Sequence, residues 1–207
     1  MVNINLNYAY LIKTDRFINM YGVCMTSRAL FFGRFQPVHK GHVKVAEDIL
    51  KIHDEIIFAV GMSTESHTPR NPFTAGERVE MIRLAMRDAG IPLDRVITVT
   101  IPTLEVSIAS VYYVVMMSPS FNEVYMGNIP IASMFRQAGY KVRIPTPYHR
   151  EKYNGTVIRT LMYNRDPEWR ELVEPSVARY LDEIKAEERI RRILDKTETH
   201  IFIEETD

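Results

Sequence analysis

The sequence predicts an α/β protein built on a parallel sheet of about five strands, flanked by helices and followed by a helical C-terminal segment. Three observations predict it. From Arg28 onward, short β-rich runs alternate with longer segments of helical period, the pattern of successive βα units. IIFAVG at 56–61 is continuously apolar, as a strand covered on both faces requires. The 207 residues, 46% hydrophobic and 25% charged, suffice for one globular domain with a substantial core.

ALFF at 29–32 is the first strand, and a helix follows over about 40–51. IIFAVG is the second strand and lies centrally in the sheet. Thr74 then opens a helix as an N-cap with Glu77 three residues on, a capping box; Val79, Ile82 and Met86 recur until Gly90 stops it. RVITVTI at 95–101 is a third strand, 107–117 a helix, EVYMG at 123–127 a fourth strand and YKVRI at 140–144 a fifth. Beyond a connection containing Pro145 and Pro147, the chain reads as helix over 156–163 and again over 176–194. The tail TETHIFIEETD is ambiguous between helix and strand. No linker divides residues 25–207, which form one domain. Residues 1–24 do not join the alternating pattern and are read as an N-terminal extension, Met20 and Met25 being alternative starts.

Charge narrows the partners. The 26 basic and 26 acidic residues cancel, so no global positive field draws the chain to nucleic acid or to a membrane surface, and any anion must be held locally. No run approaches the ~20 consecutive apolar residues of a spanning helix, and Asn3, Asn5 and Asn7 stand where a signal peptide would be apolar. The single cysteine, Cys24, excludes an intrachain disulfide framework and fits the cytoplasm.

In an open parallel sheet, ligands sit beyond the carboxyl ends of the strands, which is where GRFQPVHKGH at 33–42 falls. Gly33 permits close backbone approach, and Pro37 keeps Gln36 out of helical geometry. His39 and His42, three apart, share a face at the start of the following helix, beside its unpaired N–H groups and positive dipole end. Gly41 leaves room for a ligand against the backbone, and Arg34 adds a permanent charge. Together these suit a phosphate. The sequence holds neither GxxxxGK[ST] nor GxGxxG, so the site differs from the two common phosphate loops. A zinc site would need a Cys or acidic residue in the same turn to complete the set, and none stands there; no metal held by protein ligands is expected. A second anion site follows a turn at Asn154 and Gly155: Thr156 and Arg159, three apart, place a hydroxyl and a guanidinium on one helix face. Taken alone, Thr156 serves equally as a cap and Arg159 as a surface charge; the first site gives the pair its weight.

These blocks resemble the archaeal-type nicotinamide mononucleotide adenylyltransferases of the HxGH nucleotidyltransferase superfamily. The likeness spans about residues 27–194 in four ordered blocks: GRFQPVHKGH, SHTPRNPFTAGER at 66–78, FNEVYMGN at 121–128 and YNGTVIR at 153–159. The resemblance implies a Rossmann-like fold and transfer of AMP from ATP to nicotinamide mononucleotide (NMN), giving NAD and pyrophosphate. It implies that His39 and His42 contact the ATP phosphates with Arg34 and Arg70, that Thr156 and Arg159 hold the β and γ groups, and that Gly33, Gly41, Gly127 and Asn128 line the nucleotide. On it, His39, His42, Arg34 and Arg159 would be the catalytic group. Family members use Mg²⁺ with ATP and commonly assemble as homo-hexamers.

One segment departs from the family. Relatives show Asp, Asn, Trp and His where this chain has Thr103, Ser107, Ser110 and Tyr113. Ser107, Ser110 and Tyr113 are accordingly the candidate acceptor pocket, with Tyr112 or Tyr113 as a stacking ring. Met116 and Met117 read as part of a packed helix face. The departure keeps other phosphomonoester acceptors open, nicotinate mononucleotide among them, as well as a non-catalytic ATP sensor.

Overall fold

A computed structural model describes residues 26–146 and 148–204, with side chains described to Asp195. The extension 1–24, Cys24 and Pro147 lie outside the described residues. Twelve regular elements follow in order: β1 (Arg28–Gly33), α1 (Lys40–Leu50), β2 (Glu55–Val60), α2 (Ala75–Asp88), β3 (Val96–Thr100), α3 (Ile108–Met116), β4 (Glu123–Tyr125), α4 (Ile129–Gln137), β5 (Val142–Arg143), α5 (Gly155–Tyr163), α6 (Pro175–Glu183) and α7 (Ala186–Glu204). Short 3-10 turns at Leu93–Arg95 and Pro167–Leu172 precede β3 and α6. Among the described residues, no helix is long and apolar enough to cross a membrane.

The sheet has five strands in the order β3-β2-β1-β4-β5, and every pairing is parallel. The chain reverses its direction of travel across the sheet at β1, which puts the ligand crevice at that strand's carboxyl end. Side-chain alternation divides the interior into two layers. Phe31, Ile56, Phe58 and Val60 face one side and pack with Met81, Ile82, Ile158, Trp169 and Leu181. Leu30, Ile57, Ala59 and Val124 face the other and pack with Val111, Val114 and Phe135. This two-sided burial is why IIFAVG carries no polar alternation. The α2 capping box forms as its sequence requires: Thr74 Oγ1 accepts from the Glu77 N–H at 3.2 Å, and Glu77 Oε2 accepts from the Thr74 N–H at 2.8 Å.

Five readings change. The stretch IPIASMFRQ, which carries no predicted element, is α4, started by Asn128 as N-cap and Pro130 in the first turn. The helix expected over 176–194 is two helices, because Lys185 takes a left-handed φ of 55° and turns the chain between α6 and α7. The tail is helical to Glu204. Met116 and Met117 do not pack: they are 73% and 44% exposed, and α3 buries Val111 and Val114 instead. The fourth and fifth strands are also shorter than the apolar runs that announce them.

Candidate active site

The loop leaving β1 turns sharply. Phe35 adopts a φ of 53°, and its ring folds back under Gly33, where an added Cβ would lie 2.9 Å from the ring. Phe35 thereby joins Phe31 and Phe58 in the core, at centroid distances of 5.4 and 5.5 Å. Gln36 is buried and bridges to the next crossover: its Nε2 donates to the Phe73 carbonyl and its Oε1 accepts from the Phe73 N–H, both at 3.0 Å. The loop is therefore held from both sides before any ligand arrives.

His39 and His42 stack face to face, with centroids 3.6 Å apart. The His39 N–H donates to His42 Nδ1 at 3.3 Å, so a neutral His42 carries its proton on Nε2. Burial pushes the His39 pKa down to about 3. Burial, and then the neighbouring His39, hold His42 well below the ordinary histidine range. Both rings are neutral at physiological pH in the ligand-free protein. Gly41 is required by space, since a Cβ there would lie 2.9 Å from Tyr153 Cβ and 3.0 Å from His39 Nδ1.

The second anion site meets the first. Asn154 caps α5, its Oδ1 accepting from the Thr156 N–H at 2.8 Å. Arg159 Nη1 donates to the Gln36 carbonyl at 2.7 Å, and Nη2 to Thr156 Oγ1 at 3.3 Å. Gly155 passes so close to the first loop that a Cβ would lie 2.8 Å from the Gln36 oxygen. One cavity results, lined by Arg34, Gln36, His39, His42, Asn154, Gly155, Thr156 and Arg159. Burial lowers the Arg159 pKa to about 10, and Arg34 and Arg70 add to the shift. Burial, then Arg70, also lower that of Arg34. Two arginines line one cavity, and the charge of Arg70 outside it repels both; such a cavity calls for a polyanion. Two buried atoms reinforce this, because Arg34 Nη1 and His39 Nδ1 have no hydrogen-bond partner among the described residues.

The other candidates fall outside this cavity. Arg70 is exposed on the loop between β2 and α2. Gly127 and Asn128 follow β4 at the carboxyl edge, where Asn128 Oδ1 accepts from the Ile131 N–H at 3.2 Å. Ser107 is the N-cap of α3, Ser110 lies in its first turn and Tyr113 in its second. Ser107 and Ser110 face each other at 3.3 Å, and Ser110 donates to the Glu105 carbonyl. Thr103 is tied to Thr64 and to Glu65 Oε1. The segment 103–110 is thus bonded largely to itself and to the β2 loop. Tyr112 is 58% exposed and Tyr113 half-buried. Among the described residues, no three His, Cys, Asp or Glu side chains gather as a metal site.

Sequence reasoning missed two features. Gln36 and Phe73 were not linked, and Arg78 was noticed only as the end of a motif, although its side chain is fully buried and bonded to backbone carbonyls around the site. An arginine placed among core positions of an amphipathic helix was the available signal.

Residues 30–161 match the cytidylyltransferase-like family. The chain belongs to that family. Within it, the chain is 46% identical over 168 residues to a protein of Saccharolobus solfataricus named nicotinamide-nucleotide adenylyltransferase, covering 81% of this chain and 97% of that one. A protein of the same name from Pyrobaculum neutrophilum is 46% identical over 164 residues, covering 79% and 92%. Among solved structures, a bifunctional NMN adenylyltransferase/ADP ribose pyrophosphatase from Francisella tularensis, complexed with AMP and Mn ion, matches with a TM-score of 0.63 and 20% identity. That match covers 87% of this chain and 55% of the other, so this chain spans about half the length of that protein. The likeness shows a shared Rossmann-like fold.

Proposed function

We propose that this member of the cytidylyltransferase-like family is an adenylyltransferase that moves AMP from ATP to NMN, releasing pyrophosphate and forming NAD. The observation that carries the proposal is the single cavity in which two helix N-termini, Arg34, His39, His42, Thr156 and Arg159 converge. The names of the archaeal relatives support the acceptor.

The chemistry follows from the residues. A phosphate monoester is largely dianionic at neutral pH, with a second pKa near ~6, so the acceptor attacks the α-phosphorus without a general base. The bond from the α-phosphorus to the bridging oxygen breaks, and pyrophosphate leaves with the electron pair. The protein positions the triphosphate and neutralises the charge that builds on the leaving group. Arg34 and Arg159 supply permanent charge, His42 an Nε2–H donor, and Thr156 a hydroxyl. The side chains lining the cavity include no carboxylate, so a divalent cation such as Mg²⁺ fits as a companion of the triphosphate rather than as a resident of the protein. When bound, it adds positive charge at the phosphate oxygens.

The test is a panel of acceptors with ATP. NMN should release pyrophosphate and yield NAD in equal amounts. Pyrophosphate release with nicotinate mononucleotide and none with NMN would reassign the acceptor, and ATP binding without product from any acceptor would favour a sensor. A homo-oligomer belongs to the same proposal: Ile108, Tyr112 and Met116, four apart on α3, leave an exposed apolar stripe. Light scattering that shows a monomer at assay concentration would remove it.

A further inference from the structure

Arg78 lies one turn into α2, and its side chain is wholly buried. Among the described residues it makes four hydrogen bonds, all to backbone carbonyls. Nη1 donates to Gly61 at 2.7 Å and to Arg34 at 3.0 Å, Nη2 to Met62 at 3.0 Å, and Nε to Thr74 at 3.2 Å. Those oxygens belong to three segments that have just left regular pairing: the loop after β1, the end of β2 and the N-cap of α2. Parallel strands diverge at this edge and their last carbonyls lose their ladder partners. One planar fork with five N–H groups ties the three segments together directly.

The arrangement is costly if its only purpose is stability. A buried guanidinium that faces carbonyls and no paired carboxylate carries a desolvation penalty. Burial lowers its pKa to about 10, Arg34 adds to that, and Glu65 and Glu77 oppose it. The cation persists at neutral pH, behind Arg34, whose own Nη1 is buried without a partner. The peptide that Arg78 grips is the one that aims that guanidinium.

We propose that Arg78 is a positioning residue for the ATP triphosphate: it fixes the Arg34 peptide against the end of β2 and backs Arg34 with a second buried positive charge. The proposal rests on the assignment of the cavity to ATP. Arg95 provides an internal control, because it makes the same kind of bonds at the opposite edge of the sheet. It donates to the carbonyls of Leu50, His53 and Asp54 at 2.9, 2.9 and 2.7 Å, far from any group assigned to the ligand.

The experiment is ATP affinity by titration calorimetry, paired with thermal melting, for Arg78→Lys, Arg34→Ala, their double variant and Arg95→Lys in the full chain. Arg78→Lys should weaken ATP binding roughly tenfold, and should cost less than about threefold when Arg34 is already Ala. Arg95→Lys should lower the melting temperature at least as much and leave ATP affinity within about twofold. Equal cost of Arg78→Lys in both backgrounds, or an affinity change that merely tracks melting temperature in the Arg95 variant, would overturn the proposal. Should Arg78→Lys melt below the assay temperature, Arg78→Gln, which keeps two donors, repeats the cycle and is judged identically. A protein that shows this coupling yet transfers AMP to no acceptor would leave Arg78 assigned and remove the proposed function. One that does not bind ATP would remove both.

Discussion

The two edges of the sheet use the same residue types to opposite ends. At the amino edge, Glu123 is buried at the start of β4. It accepts from Arg143 Nε at 2.6 Å and lies 3.3 Å from both His53 Nε2 and Tyr125 Oη; His53 Nδ1 in turn lies 2.8 Å from Ser27 Oγ. At the carboxyl edge, His39 Nδ1 and Arg34 Nη1 are buried with no partner among the described residues, and Arg34, Arg70 and Arg159 repel one another. A completed network closes the fold, whereas an incomplete one stores the demand for a ligand. The contrast separates stability from function within one sheet.

Breaking the completed network should give the largest effect. Glu123→Ala leaves the buried His53 and Tyr125 without their shared carboxylate and should destabilise the protein by about 3 kcal/mol in urea unfolding, with ATP affinity unchanged. His42→Ala attacks the other edge: turnover should fall by roughly 10² or more, the scale for losing one preorganised donor, while the His39 N–H loses its acceptor and stability falls by about 1 kcal/mol, less than for Glu123→Ala. Near-normal turnover would remove His42 from the mechanism. Gly155→Ala forces α5 away from Gln36 and should weaken ATP binding by about tenfold. Unchanged affinity would show that the two anion sites work independently.

Proton linkage sharpens the comparison further. The His39 pKa is about 3 in the folded protein against about 6.5 unfolded, so between those values the unfolded chain binds more protons. Stability of the ligand-free protein should therefore fall as pH is lowered from about 6.5 toward 3. Phosphate beside the ring favours its charged form, so ATP binding near pH 6 should take up protons, measurable as a dependence of binding heat on buffer ionisation. Absence of uptake would place the phosphates away from His39. The smallest effect belongs to Thr74→Ala, which removes the α2 cap and should cost about 1 kcal/mol without altering turnover.

The comparison also explains what the sequence could show. GRFQPVHKGH and NGTVIR were legible because Gly, Pro, Asn and paired His or Arg constrain the backbone locally. Their union was not, since Gln36 and Arg159 stand 123 residues apart and only the folded sheet brings them to 2.7 Å. The strands of the sheet were legible in their continuous apolar runs. Helix α4 was not: it is nine residues long and buries only Ala132 and Phe135, too short a face for a helical period to stand out from its β-branched residues. Met116 and Met117 misled for the reverse reason, since an apolar residue signals burial only when another element covers its side of the helix. Arg78 stayed hidden because an arginine on a helix ordinarily reads as a solvated charge.

The account turns on what fills the two unpartnered atoms, and a crystal structure with a non-hydrolysable ATP analogue decides that most directly. Phosphate oxygens should lie within hydrogen-bonding distance of Arg34 Nη1 and His39 Nδ1, with the triphosphate spanning the starts of α1 and α5 and its far end at Thr156 and Arg159. A nucleotide seated instead in the neighbouring cavity between α5 and α7, lined by Tyr163, Ile190 and Leu194, with both atoms still unpartnered, would contradict it.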